Sequence, residues 1–299
     1  MTKTNLILGF IGLGQMGMPL AKNLAQAGYD LLIYDANSDA MDEVSAMENI
    51  DICASIQELV GQVDVIFTCL PHENAIRSVY FGSGGIADTA KSGLMTCDFS
   101  TATPELVKQV QGQLQGKGGL HFDSPVFGGR KDAENGNAYF VFSGPETAVD
   151  QIEPFLNAMG KGCEYVGESS SASLMKILQN SLGYGYAIVT AEILTLCTHL
   201  GADAGRFARL VNDVKVMGWS KYFDLYAEDI VAGRKSDTGR LHIAAKDTQL
   251  LESILDQNNF DAPVLEQTVR LFREASEKGM GQEEFTAVTR LVAEKNRKA

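Results

Sequence analysis

The sequence predicts an α/β protein, with a doubly wound, mostly parallel sheet in residues 1–168 and an all-α domain in residues 169–299. Three observations predict it. A glycine-rich turn, Gly12-Leu13-Gly14-Gln15-Met16-Gly17, sits between a β-type run and a helix-like segment. Short apolar runs then alternate with helix-period segments, the pattern of βαβ units. Beyond about residue 168 no further strand run is found, and long helix-period segments take over.

The first run, Leu6 to Ile11, is mostly apolar, as a buried parallel strand requires. Leu20, Leu24 and Ala27 then recur at helical spacing, and Gly28 stands where a helix C-cap falls. A second run, Asp30 to Tyr34, ends at Asp35, about twenty positions past the glycines, where a carboxylate can accept hydrogen bonds from an adenosine ribose. Gly12 permits the tight turn, Gly14 leaves room for a pyrophosphate, and Gly17 lets helix and strand pack closely. The helix N-terminus presents its N–H groups to the phosphates. Gln15 and Met16, within the turn, are expected to contact the cofactor as well. Asp35 would repel a 2′-phosphate, and no arginine follows in Ala36-Asn37-Ser38-Asp39, so NAD is expected rather than NADP.

Later strands are expected at 50–53, 64–69, 94–98, 120–123, 138–143 and 163–166. A long helix is expected from about Ser171 to Leu200, closed by Gly201. It is apolar around most of its circumference and so is buried on several sides, either within its own domain or also against a partner subunit.

Bulk properties limit the partners. Of 299 residues, 45% are hydrophobic and 21% charged, and the net charge is −13. That balance argues against nucleic acid or an anionic membrane as partner, so an anionic substrate would need a local positive site. The cysteines Cys53, Cys69, Cys97, Cys163 and Cys197 are scattered, with no metal-binding spacing, which fits a reducing, cytoplasmic compartment and no metal. The apolar start runs into the glycine turn without a cleavage pattern, and no apolar run is long enough to span a bilayer.

Three segments carry candidate chemistry. Lys176 and Asn180 are four apart on one face of the long helix. Leu174, Met175, Ile177, Leu178 and Leu182 around them are apolar, which would favour a neutral lysine able to accept a proton; the alternative is a lysine that snorkels to solvent. Asp123-Ser124-Pro125-Val126-Phe127-Gly128-Gly129-Arg130-Lys131 is either an anion-binding strand end or an ordinary turn. Lys246-Asp247 interrupts an apolar helical stretch, and taken alone it reads as a solvated face. His72, His121, His199 and His242 form no triad, and His72 reads as a surface loop residue.

Together these blocks resemble the β-hydroxyacid dehydrogenase family of the 3-hydroxyisobutyrate dehydrogenase-like kind, over nearly the whole chain. The likeness rests on Gly12 to Pro19, Cys69-Leu70-Pro71, Asp98 to Pro104, Asp123 to Gly129, Lys176 with Asn180, Lys246-Asp247, and Gly279 to Phe285. It implies a Rossmann domain, then an all-helical substrate and oligomerisation domain, with the site between them, and a homodimer or homotetramer. Lys176 would be the general acid/base. Asn180 would orient the hydroxy-acid substrate, and Gly128 and Gly129 would hold its carboxylate. Leu70 and Pro71 would contact the cofactor, Ser100 and Thr101 would lie beside the nicotinamide ribose, and Lys246 would close over cofactor and substrate. Phe127 stands where the family usually has serine, and Asp132 replaces a usual glycine; a flatter or more hydrophobic substrate would suit Phe127. Alternatives are a reductase of a semialdehyde, keto acid or imine on the same scaffold, or a non-catalytic nucleotide-binding relative.

Overall fold

The computed structural model describes residues 6–45, 47–215, 217–234 and 239–296. The chain forms two compact units, Met1–Lys176 and Ile177–Ala299.

In the first unit the strands β1 (Leu8–Ile11), β2 (Leu31–Tyr34), β3 (Ile50–Ile52), β4 (Val65–Thr68), β5 (Met95–Asp98) and β6 (Leu120–Asp123) build one sheet. Its order is β3-β2-β1-β4-β5-β6, and every pair is parallel. The chain reverses direction across the sheet between β1 and β4, so their carboxyl ends open a crevice of the kind that binds ligands in such sheets.

Side chains alternate between two cores, as strand pleating demands. Phe10 and Phe67 point to one face with Phe99 and Phe155, whereas Ile11 and Ile66 point to the other with Tyr80 and Leu106. Phe67 and Phe99 stack with centroids 5.7 Å apart.

The sequence places 138–143 and 163–166 in the same alternation, but they form a separate sheet. Here β7 (Val126–Phe127) pairs antiparallel with β8 (Tyr139–Phe142), and β8 pairs parallel with β9 (Gly162–Tyr165). Two-residue β7 is too short to show alternation, so sequence periodicity missed it.

His121 on β6 is buried, its Nδ1 2.8 Å from Thr96 Oγ1 and its ring edge-on to Tyr80. Burial lowers its pKa from 6.5 to about 3. The unfolded chain therefore takes up a proton below pH 6.5 that the folded chain does not. Stability contributed by neutral His121 is complete above that pH and falls by about 1.4 kcal/mol per unit as pH drops toward 3. His121→Gln is expected to flatten the acid side of the Tm–pH curve; an unchanged slope would refute this.

In the second unit the described residues form no strand. The helices are the later turns of Ser171–His199, then Ala204–Val214, Lys221–Ala232, Leu241–Gln257, Pro263–Glu277 and Val288–Lys295. Asp203 and Ser220 cap two of them by accepting the N–H of Arg206 and Phe223. Phe272, Leu241 and Leu291 centre the largest core cluster. Along the long helix Ile177, Ala187, Ala191 and Leu194 are buried. Leu178, Leu182, Tyr186, Val189, Ile193 and Leu196 are exposed, so its apolar circumference includes an uncovered stripe. Among the described residues no helix is long and apolar enough to cross a membrane.

Candidate active site

The glycine turn has the geometry a dinucleotide needs. Gly12 has φ +96°, and a β-carbon there would lie 2.4 Å from the Cys69 carbonyl oxygen. One at Gly17 would lie 1.9 Å from the Gly12 oxygen, so strand and helix close on each other only without side chains. Beside Gly14 the space is open for 4 Å, a cradle that a β-carbon would narrow. The helix Gly17–Gln26 begins at Met16 with no side-chain cap among the described residues, and the Met18 N–H donates to the Gly14 carbonyl at 3.0 Å. Asp35 is tied to the turn by a hydrogen bond. Its Oδ2 accepts the Leu13 N–H at 2.6 Å, and its Oδ1 accepts the Asn37 N–H at 2.7 Å. These residues fit a bound NAD.

The loops after β4 and β5 are tied by a buried network. Asp98 Oδ1 accepts from Thr68 Oγ1 at 2.7 Å and from Ser100 Oγ at 2.5 Å. Ser100 Oγ in turn accepts the Leu70 N–H at 2.8 Å. Burial pushes the Asp98 carboxyl up, and the hydroxyl donors pull it back. The Ser100 hydroxyl thus holds Leu70 in place, while Thr101 is half-buried and Pro71 exposed. Asp98 and Thr68 were not singled out from sequence as site residues; a polar pair ending two adjacent apolar strands was the available signal.

A second buried carboxylate sets the start of the long helix. Asp123, at the end of β6 and 1% exposed, accepts the N–H groups of Ser170 and Ser173, each at 2.9 Å, and the Ser143 hydroxyl at 2.5 Å. Ser143 Oγ then accepts the Ala172 N–H at 3.1 Å. The first-turn amides of a helix are matched here by a negative charge. Lys176 follows one turn on, half-buried, with its ammonium 4.8 Å from the centroid of the Phe127 ring. Phe127 therefore faces the lysine. Of its apolar sequence neighbours Ile177 is buried, whereas Met175, Leu178 and Leu182 are exposed.

Past Phe127 the loop bends through Gly128, with φ +131°. The Gly129 N–H donates to Asp132 Oδ2 at 2.7 Å, and Arg130 pairs with Glu134 at 2.7 Å.

In the second unit Asn180, four residues beyond Lys176 on the same helix, donates its amide to Asp247 Oδ2 at 2.8 Å. Tyr184 donates to the same oxygen at 3.1 Å. Lys246 pairs with Asp247 Oδ1 at 3.1 Å, so buried Asp247 gathers three groups. Burial, and then the Asp247 charge, push the Tyr184 phenol well up. Lys246-Asp247 is thus no plain solvated face. Tyr184 was missed, although one more step of four from Lys176 and Asn180 reaches it. His72 caps the helix Glu73–Phe81 through Nδ1, accepting the Ala75 N–H at 3.0 Å. No cluster of metal-ligating side chains occurs among the described residues.

Comparisons with known proteins match both units of the chain. Residues 7–167 match the NAD binding domain of 6-phosphogluconate dehydrogenase, and residues 170–292 match the NAD-binding family of NADP-dependent 3-hydroxyisobutyrate dehydrogenase. Human mitochondrial 3-hydroxyisobutyrate dehydrogenase is 35% identical over 71% of this chain, a match that spans 63% of the human protein's length. The bovine enzyme is 32% identical over 96% of this chain and 87% of its own. A crystal structure of a 3-hydroxyisobutyrate dehydrogenase from Salmonella typhimurium is similar with a TM-score of 0.83, at 25% identity, over 96% of this chain and 100% of that one. With a glycine turn fitted to NAD and matches that run through both units, the chain belongs to the β-hydroxyacid dehydrogenase family.

Proposed function

We propose that this chain is an NAD-dependent dehydrogenase that interconverts the hydroxyl and carbonyl forms of a small 3-hydroxy acid or a derivative of one, with Lys176 as the general acid/base. The observation that carries this reading is Lys176 itself. It sits one turn past a helix start fixed by Asp123, with its ammonium held against Phe127. When bound, NAD supplies the hydride acceptor at the alcohol carbon. Lys176 Nζ takes the hydroxyl proton in oxidation and returns it in reduction. Asn180, its amide held by Asp247, orients the hydroxyl, and Lys246 closes over cofactor and substrate. Gly12, Gly14, Gln15, Met16 and Gly17 hold the pyrophosphate. Asp35 takes the adenosine ribose, and Leu70, Pro71, Ser100 and Thr101 border the nicotinamide end.

In this reading residues 1–168 are the NAD-binding domain and 169–299 the substrate and oligomerisation domain. The exposed stripe on the long helix, which steps by three and four from Leu178 to Leu196, suits a second copy in a homodimer or homotetramer. The five cysteines, none of which forms a disulfide among the described residues, suit a cytoplasmic location.

The test is NADH formation, and in parallel NADPH formation, with 3-hydroxyisobutyrate, serine, glycerate, 3-hydroxypropionate and aryl-substituted analogues. Turnover with NAD well above that with NADP is expected, because the Asp35 carboxylate would face a 2′-phosphate. Silence across the panel with NAD bound would overturn the substrate class, and preference for NADP would overturn the role of Asp35.

A further inference from the structure

In the second unit one buried carboxylate takes a donor that the proposed reaction does not use. Asp247 Oδ2 accepts the Asn180 amide at 2.8 Å and the Tyr184 hydroxyl at 3.1 Å, while Lys246 Nζ stands 3.1 Å from Oδ1. Asp247 is 3% exposed, so water screens these contacts little. The tyrosine is itself held. Its ring meets Phe272 edge-on at 5.3 Å and Phe285 at 5.7 Å, and Phe272 is buried. A phenol carries a single O–H, and packing on two rings restricts where it points. An asparagine can turn its amide about the last bond, exchanging its N–H donors for an oxygen. Turned that way, Asn180 Oδ1 would meet Asp247 Oδ2, two acceptors with no hydrogen between them. A fixed Asp247 therefore fixes which end of the Asn180 amide is presented. One Nδ2 hydrogen goes to Asp247, and the amide carries a second.

We propose that Tyr184 is a positioning residue for the reaction: its hydroxyl, steadied by Phe272 and Phe285, locks the Asp247 carboxylate, and through it the Asn180 amide, so that the second Nδ2 hydrogen meets the oxygen of the reacting hydroxyl. The proposal rests on the dehydrogenase reading, in which Asn180 orients that hydroxyl. Tyr184 touches neither substrate nor cofactor and moves no proton. An N–H donor serves the reacting oxygen in both directions, because that oxygen gains charge as its proton leaves and ends as a carbonyl oxygen. Without the phenol, Asp247 Oδ2 keeps one donor in place of two, and the carboxylate is free to turn toward Lys246. The Asn180 amide then loses its fixed direction.

Tyr184→Phe is the test, because it keeps the ring against Phe272 and Phe285 and removes only the hydroxyl. The substrate used is the one among 3-hydroxyisobutyrate, serine, glycerate and 3-hydroxypropionate that the wild type oxidises fastest. At temperatures where the variant is folded, kcat is expected to fall about tenfold, the worth of one hydrogen bond to a charged group, with the KM for NAD unchanged. The deciding arm is a cycle with Asn180→Ala, read as single-turnover hydride transfer so that slow variants are measured. Once the Asn180 amide is gone, removing the Tyr184 hydroxyl should change the rate by no more than about twofold. Wild-type kcat in folded Tyr184→Phe overturns the proposal, as does a second tenfold loss on top of Asn180→Ala. A rise in the KM for NAD that matches the fall in kcat overturns it too, since the damage would then be general. Each of these results leaves the dehydrogenase reading standing. A wild type that is silent on all four compounds with NAD bound overturns that reading, and the proposal with it.

Discussion

Lys176→Ala is expected to lower kcat by about 10²- to 10⁴-fold, the range that a positioned acid or base contributes, while NAD binding stays nearly intact. The two effects separate because the groups lie on different elements. The cradle is formed by Gly12 to Gly17 and Asp35, whereas Lys176 is carried by the long helix and faces Phe127. Lys176→Arg sharpens the test. Arginine keeps a cation over the ring but does not deprotonate in proteins, so it restores the contact without the proton acceptor. If the lysine only packs against Phe127, arginine rescues turnover. If it moves the proton, arginine is as inactive as alanine. Steady-state NADH formation and calorimetric NAD binding on the two variants measure both quantities, and retained turnover in Lys176→Ala would end the acid/base assignment.

Much of the fold was legible because its signals are local. Five of the six parallel strands, all but β6, are each followed by a helix, and the turn from Gly12 to Gly17 marks itself by glycine spacing. Lys176 and Asn180 share a helix face, which spacing alone reveals. The unread part rests on contacts between residues far apart in sequence. Asp123 meets Ser173 fifty residues later, and Asn180 meets Asp247 sixty-seven residues later. A buried carboxylate that receives helix amides has no periodicity to betray it. The lysine's aromatic neighbour likewise comes from β7, a two-residue strand that pairs with β8 and leaves no alternation to read.

Asp123→Ala tests whether that buried carboxylate positions the lysine or merely stabilises the unit. The substitution leaves the Ser170 and Ser173 amides and the Ser143 hydroxyl without their shared acceptor. A buried donor left unsatisfied costs about 1–3 kcal/mol, so a stability loss of about 3 kcal/mol or more is expected. For a unit of this size that lowers Tm by roughly 10 °C. Asp123→Asn keeps one oxygen for Ser170 and Ser143 but turns an N–H toward Ser173, so it should fold with a smaller loss. That milder variant carries the argument about function. If Asp123 sets where Lys176 stands, kcat for Asp123→Asn falls well below wild type at temperatures where it is fully folded. The KM for NAD should stay unchanged, because the Gly12 to Gly17 turn does not touch Asp123. A folded Asp123→Asn enzyme with wild-type kcat would show that the carboxylate holds the helix start without governing the lysine. A parallel rise in the KM for NAD would show that the damage had spread to the cradle.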